Sequence, residues 1–272
     1  MRLLTFHLDG ELHTGLLTPE GVAELAADDF NALLSLTPPE IERLATGARI
    51  PEAALRWGPC VPNPGKIVCI GLNYRRHAQE TGAQVPDNPI LFSKFRNAVA
   101  ACGDEIRLPD VAEQYDYEAE LGVVIGRPAR NVSAAQALDH VWGYCSCNDV
   151  SARDLQFRST QWLLGKSLDR FLPLGPYLVS ADEVGDPQML PIRCSVNGDL
   201  RQNSNTADMV FGVAELVSYI SRFWTLEAGD VIASGTPEGV AAGRADKPWL
   251  RPGDEVVVEV GNLGRLVNRL VS

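Results

Sequence analysis

The chain has 272 residues, 45% hydrophobic and 22% charged, with 24 Lys and Arg against 35 Asp and Glu and a formal net charge of −11. This composition excludes a disordered chain, a collagen-like chain and a short disulfide scaffold, and its acidity disfavours nucleic acid, whose phosphates it repels. No apolar run approaches the roughly 18 residues of a membrane span, and the start reaches Asp9 and Gly10 too early for a secretory leader, so the expectation is a cytoplasmic protein with reduced thiols and no membrane partner.

Residues 3–8 and 13–17 read as two strands around a turn at Gly10. Residues 31–36 and 39–45 read as short helices, the second with Pro39 in its first turn. Pro51, Pro59, Pro62, Pro64 and Gly65 then punctuate the chain as a linker does. The expected division is a small N-terminal domain, 1–62, and a larger domain, 63–272. Strand-like runs follow at 67–70, 90–95, 118–125, 141–147, 177–179, 192–196, 231–233, 255–260 and 263–270. Helical periodicity is clearest at 213–223, where Val213, Leu216, Val217 and Ile220 recur at i, i+3, i+4 and i+7. One or two helical turns fit 74–80 and 152–157. Many strands and few helices imply an α+β, strand-dominated fold. Trp142, Trp162 and Trp224 lie in apolar surroundings and are expected in the core.

Several common sites are excluded by spacing. Gly165-Lys166-Ser167 resembles the end of a phosphate-binding loop, but Thr160 stands where that loop needs its first glycine. There is no H-E-x-x-H and no G-x-S-x-G elbow. With only His7, His13, His77 and His140, a histidine-rich zinc site is not expected, and any metal is to be held by oxygen.

The acidic residues carry more information. Glu118 and Glu120 stand two apart at the start of an apolar strand, so the strand period puts both on one face. Two carboxylates in an apolar setting raise each other's pKa, and a hard cation removes that cost. Taken alone, the pair favours a strand edge guarded by charge over a metal site, since edge charges are common. Asp149 ends the next strong strand and either caps the following turn or, if the two strands are neighbours, joins the glutamates. Three carboxylates leave open positions on an octahedral ion for water and substrate. His77 and Glu80 lie at i and i+3, on one helical face, as an acid–base dyad or an exposed pair. The polar stretch 82–88, with Pro86, fits a lid. Arg75 and Arg76 fit either a distal substrate carboxylate or a solvated surface.

The motifs also match a known pattern in order. They are Ile70-Gly71-Leu72-Asn73-Tyr74 with His77 and Glu80, Tyr117-Glu118-Ala119-Glu120, Asn148-Asp149-Val150-Ser151-Ala152-Arg153-Asp154 with Gln156, Gly165-Lys166-Ser167, Ser234-Gly235-Thr236-Pro237 and Gly253-Asp254. From Lys66 to Ser272 the chain resembles the fumarylacetoacetate hydrolase superfamily in its short single-module form, the 2-hydroxyhepta-2,4-diene-1,7-dioate isomerase and acylpyruvate hydrolase type. The resemblance implies a mixed β-sandwich roll, a homodimer and Mg²⁺ or Mn²⁺, with Ca²⁺ as a substitute in crystals. It implies a small-molecule substrate, an enolisable 2-oxo acid such as an acylpyruvate or a ring-cleavage dicarboxylate of aromatic catabolism. The implied reaction is C–C bond hydrolysis or isomerisation through a metal-bound enolate. The alternatives are an oxaloacetate-type decarboxylase on the same site and a non-catalytic metal-binding relative. Residue by residue, it implies Glu118, Glu120 and Asp149 as metal ligands, His77, Glu80 and Lys166 as catalytic groups, and Arg153, Gln156 and Thr236 as substrate-binding groups. Larger members carry a further Asp ligand where this chain reads Asn73-Tyr74, so a water is expected there.

Overall fold

In the computed structural model, which describes every residue from Met1 to Ser272, the strand-like runs assemble into two main sheets. The larger sheet runs in the order Ala45–Ile50, Gly21–Leu25, Glu11–Thr18, Arg2–Leu8, Leu172–Ser180, Val141–Asn148, Ala119–Ile125, Val231–Ala233, Ile67–Gly71, Ile90–Ser93. Neighbours along it are antiparallel except Val231–Ala233 with Ile67–Gly71, which are parallel. The smaller sheet has the order Asp199–Asn205, Pro191–Val196, Glu255–Val260, Arg265–Val271, Glu105–Arg107. This is the strand-dominated α+β fold expected from the strand-like runs, with the large mixed sheets that the resemblance implies.

The large sheet is covered on both faces, which is why residues 121–125 of the Ala119–Ile125 strand read as an unbroken apolar run. Leu121, Val123 and Ile125 face a core shared with Val256, Val258 and Leu266 of the small sheet and with the Val213–Ser221 helix. Val124 faces the other way, into a second core with Leu172, Leu174, Leu178, Leu3 and Phe30. The helix buries the four residues of its expected stripe. All six cysteines are free thiols, and no helix is long and apolar enough to cross a membrane.

The structure differs from the reading at particular places. The strand expected at 177–179 runs from Leu172 to Ser180: Gly175 and Pro176 fall where the ladder to Val141–Asn148 shifts register, the place where a missing proline N–H disturbs pairing least. Gly21–Leu25, Ala45–Ile50 and Asp199–Asn205 are strands that the sequence hides; the last two lie at sheet edges, Ala45–Ile50 largely exposed and Asp199–Asn205 largely polar. Trp224 is not core: it is 38% exposed. The last helix ends at Ser221, so Trp224 lies beyond the buried stripe and rests beside Phe223 at the surface. Trp142 and Trp162 are only half-buried. The Arg2–Leu8 strand pairs with Leu172–Ser180, so the sheet crosses the proline-rich segment.

Candidate active site

Strand pairing brings the acids together. Ala119 lies opposite Asn148 in adjacent antiparallel strands, and the Asp149 N–H donates to the Glu118 carbonyl at 3.0 Å. The Asn148 side chain returns the contact, accepting the Glu118 N–H at 3.1 Å. Glu118, Glu120 and Asp149 thereby place carboxylate oxygens within 4.8 Å of one another, and all three are buried. Glu120 is held by the Gly235 N–H, at 2.9 Å. Gly235 has φ +96° and a Cβ there would lie 2.7 Å from that of Asn73, so only glycine brings this donor in.

Three cations surround the acids. Lys166 Nζ lies 2.8 Å from both Glu118 Oε2 and Asp149 Oδ2. Lys94 Nζ lies 2.7 Å from Asp149 Oδ1. The Arg153 guanidinium reaches Glu118 at 2.7 Å and Asp116 at 2.8 Å. Burial alone would raise the Glu118 carboxyl, but Lys166 and Arg153 beside it hold it down at about 2. Glu120 has no such partner; burial, with Asp149 and Glu118 adjacent, pushes its pKa well up. Burial would lower the Lys166 ammonium, but Asp149 and Glu118 more than offset this and raise it. With all four carboxylates ionised, Asp116 included, the acids outnumber the three cations by one charge, which is the state that burial opposes at Glu120.

A divalent ion fits this arrangement. Asp149 Oδ1 is buried and accepts no hydrogen bond, although an ammonium is close to it. A free carboxylate lone pair beside two further carboxylates is an all-oxygen donor set of the kind hard cations take. Asn73, at the place of the further acid of larger relatives, is occupied elsewhere: its amide binds the Phe211 and Ser234 carbonyls and accepts the Phe211 N–H.

A cavity of 290 Å³ opens beside the acids, half its lining residues hydrophobic. Its polar wall carries Glu118, Lys166, Arg153, Gln156, Thr236 and His77; its apolar wall includes Ile70, Phe92, Trp162 and Val240. Lys166 Nζ also sits 5.2 Å from the centre of the Phe92 ring. Gln156 accepts from Arg153 at 2.9 Å, which orients its amide and leaves its own N–H donors without a partner in the chain. The Thr236 hydroxyl donates to the Ala119 carbonyl and accepts from Gln202. His77 is 8% exposed. Its Nδ1 stands 3.4 Å from Glu80 Oε2, and both Glu80 oxygens accept the Gly239 N–H, at 3.0 and 3.1 Å.

A model of the family described as fumarylacetoacetate (FAA) hydrolase, C-terminal, matches residues 66–271. The chain belongs to the fumarylacetoacetate hydrolase family. It is 40% identical to the mitochondrial oxaloacetate tautomerase FAHD2A of Homo sapiens over 289 residues, covering 100% of this chain and 92% of the relative. Among solved structures it is similar to 2-hydroxyhepta-2,4-diene-1,7-dioate isomerase from Mycobacterium marinum, with a TM-score of 0.83, 33% identity and coverage of 100% and 98% of the two chains. It is also similar to fumarylpyruvate hydrolase from Pseudomonas aeruginosa in complex with Mn²⁺ and pyruvate, with a TM-score of 0.71 and 36% identity over 76% of this chain and 90% of that one.

The structure of this fumarylacetoacetate hydrolase family member brings all nine sequence-expected site residues to one place, six of them in the cavity wall. It turns Arg75 and Arg76 away. Arg75 donates to the Asp208 and Met209 carbonyls and Arg76 reaches Glu238 at 3.5 Å, and neither lines the cavity. Sequence reasoning missed Lys94 and Asp116. A lysine in the otherwise apolar run Ile90-Leu91-Phe92-Ser93-Lys94-Phe95 was the available signal, because a buried lysine needs a counter-charge. Asp116 was legible only through its partner Arg153, 37 residues away.

Proposed function

We propose that Glu118, Glu120 and Asp149 hold Mg²⁺ or Mn²⁺ and that the enzyme acts on a small enolisable 2-oxo acid, isomerising it or cleaving a C–C bond with water. The observation that carries this reading is the convergence of three buried carboxylates, one with a free lone pair, beside a half-apolar cavity. The oxaloacetate tautomerase name of the human relative and the Mn²⁺ and pyruvate in the Pseudomonas aeruginosa neighbour support it.

When bound, the ion supplies a Lewis acid at the keto oxygen, which acidifies the adjacent carbon. The other work falls to side chains. A proton on His77 Nδ1 shared with Glu80 leaves the Nε2 lone pair to take or return a proton at the substrate's C3. In hydrolysis the same atom takes a proton from the attacking water. Glu80, fixed by the Gly239 N–H, keeps the ring in that tautomer. The free amide N–H groups of Gln156 suit the substrate carboxylate, and Lys166 adds positive charge at that end. With the four carboxylates ionised against three cations, a divalent ion would leave the site one positive charge, matched to an acid anion. Residues 1–62 serve as a small N-terminal unit beside a catalytic unit, 63–272. The enzyme works as a cytoplasmic homodimer, with ring-cleavage acids of aromatic catabolism among its candidate substrates.

The test follows enol decay of oxaloacetate, and cleavage of acetylpyruvate and fumarylpyruvate, with EDTA and after adding Mg²⁺ or Mn²⁺. Expected is turnover of at least one acid that chelation abolishes and metal restores. Turnover indifferent to exhaustive chelation, or none on any of the three, overturns the reading. Carbon dioxide release from oxaloacetate would mark the decarboxylase instead.

A further inference from the structure

We propose that Lys94 is a positioning residue that aims Asp149 Oδ1 at the metal while leaving its lone pair free; this rests on the metal reading above. Lys94 follows the edge strand Ile90–Ser93, and its side chain is fully buried. An ammonium has three N–H donors, and here three main-chain carbonyls take them. Lys94 Nζ donates to Val150 O at 3.0 Å and to Phe171 O at 2.8 Å, and to the Lys166 carbonyl. Asp149 Oδ1, 2.7 Å away, receives the charge but no hydrogen bond. The carboxylate is therefore held in place electrostatically, without spending the electron pair that a metal needs.

The two lysines at Asp149 divide the task. Lys166 uses its N–H groups on the carboxylates themselves, at 2.8 Å to Glu118 and to Asp149 Oδ2, and it lines the cavity. Lys94 lies outside the cavity lining, tied to chain segments that carry the site: the residue after Asp149, the main chain of Lys166, and Phe171 just before the Leu172–Ser180 strand. Its single nitrogen fixes where a ligand carboxylate and the backbone of the substrate-facing lysine stand relative to each other. Groups that orient metal ligands in this way contribute 10–100-fold to metal affinity in general.

The sign of the effect makes the proposal testable. Removing a positive charge beside a cation site strengthens metal binding if charge alone matters, and weakens it if aim matters. Mn²⁺ titration by calorimetry on the full chain compares wild type with Lys94→Met, with the melting temperature measured in parallel. The expected result is a Kd about 10–100-fold weaker for a variant that still unfolds cooperatively. A tighter Kd, or an unchanged Kd with only a lowered melting temperature, overturns the proposal, the second outcome being that of a purely structural lysine. If Lys94→Met does not fold, Lys94→Gln, which keeps amide N–H donors for the carbonyls and loses the charge, is measured with the same expectation. If neither folds, Lys94 holds the fold in general and the proposal fails. Wild type that binds no Mn²⁺ overturns the metal reading itself, an outcome distinct from all of these.

Discussion

At the scale of single residues, Glu120 is the acid with most to gain from a metal. Glu118 and Asp149 each face cations at 2.7–2.8 Å, whereas Glu120 has a backbone N–H and two neighbouring carboxylates. Its folded pKa lies above the ordinary 4.5, so as pH rises the unfolded chain releases this proton first. Without metal, its contribution to stability therefore falls from about pH 4.5 upward until the folded group ionises. Glu118 works the other way: held at about 2, it stabilises above 4.5 and that contribution is lost as pH falls toward 2. Glu120→Gln should raise the melting temperature in EDTA at neutral pH, by roughly 2–4 °C for about 1 kcal/mol in a chain of this size, and should abolish the rise that Mn²⁺ gives wild type. Thermal melts with and without Mn²⁺ decide it; a variant less stable in EDTA would show that the carboxylate is already compensated. His77→Ala should lower kcat on the order of 10²–10⁴-fold with Mn²⁺ affinity unchanged, since the ring faces Glu80 rather than the carboxylates. Loss of Mn²⁺ binding along with turnover would move His77 into the metal site. The acids were legible in the sequence because a strand period and a strand neighbour suffice to place them. Lys94 was not, because its meaning lies in three carbonyls distant along the chain.

At the scale of elements, the short helix Arg75–Thr81 carries the dyad and owes its place to other parts of the chain. Asp208 accepts the Arg76 N–H at 3.0 Å, supplying from a distant turn the cap that Tyr74 cannot provide. At its far end Glu80 lies over Gly239 and Gly243. A Cβ on Gly243 would lie 2.3 Å from the Glu80 carboxyl carbon. Gly243 has no positive φ, so alanine brings no backbone strain, and the flexible Glu80 side chain can swing aside. Gly243→Ala should therefore leave the melting temperature near wild type and lower kcat toward that of Glu80→Ala. Full activity in Gly243→Ala would mean that the Glu80–Gly239 contact is dispensable. The pattern His77-x-x-Glu80 made a helical turn readable, but nothing in it announces a glycine 163 positions beyond Glu80 as the floor of the dyad. The same limit hid the strands Gly21–Leu25 and Asp199–Asn205, whose partners rather than whose residues make them strands.

At the scale of the whole molecule, the proline-rich segment near residue 62 separates stretches of sequence that share one core. Ten of the 21 buried residues in the second core come from residues 1–62, Leu3, Leu16, Phe30, Leu33 and Ile41 among them. They cover Leu172, Leu174, Leu178 and Val124 on the strands that lead to the site. The Arg2–Leu8 strand also pairs with the end of Leu172–Ser180 at Leu178 and Val179, backbone that would otherwise be open to other chains. Uncovering several large apolar side chains, at about 1.5–3 kcal/mol each, approaches the whole margin of roughly 5–15 kcal/mol that holds a domain folded. The expected result is that a chain of residues 63–272 accumulates as aggregate, or binds a hydrophobic dye without a cooperative melt, while the full chain melts cooperatively. The metal site should be lost with it, because Leu172–Ser180 is the strand beside Val141–Asn148, which delivers Asp149. Mn²⁺ affinity and a cooperative melt preserved in residues 63–272 would show that the N-terminal unit only decorates an independent domain, and that the shared core contributes far less than its buried area implies.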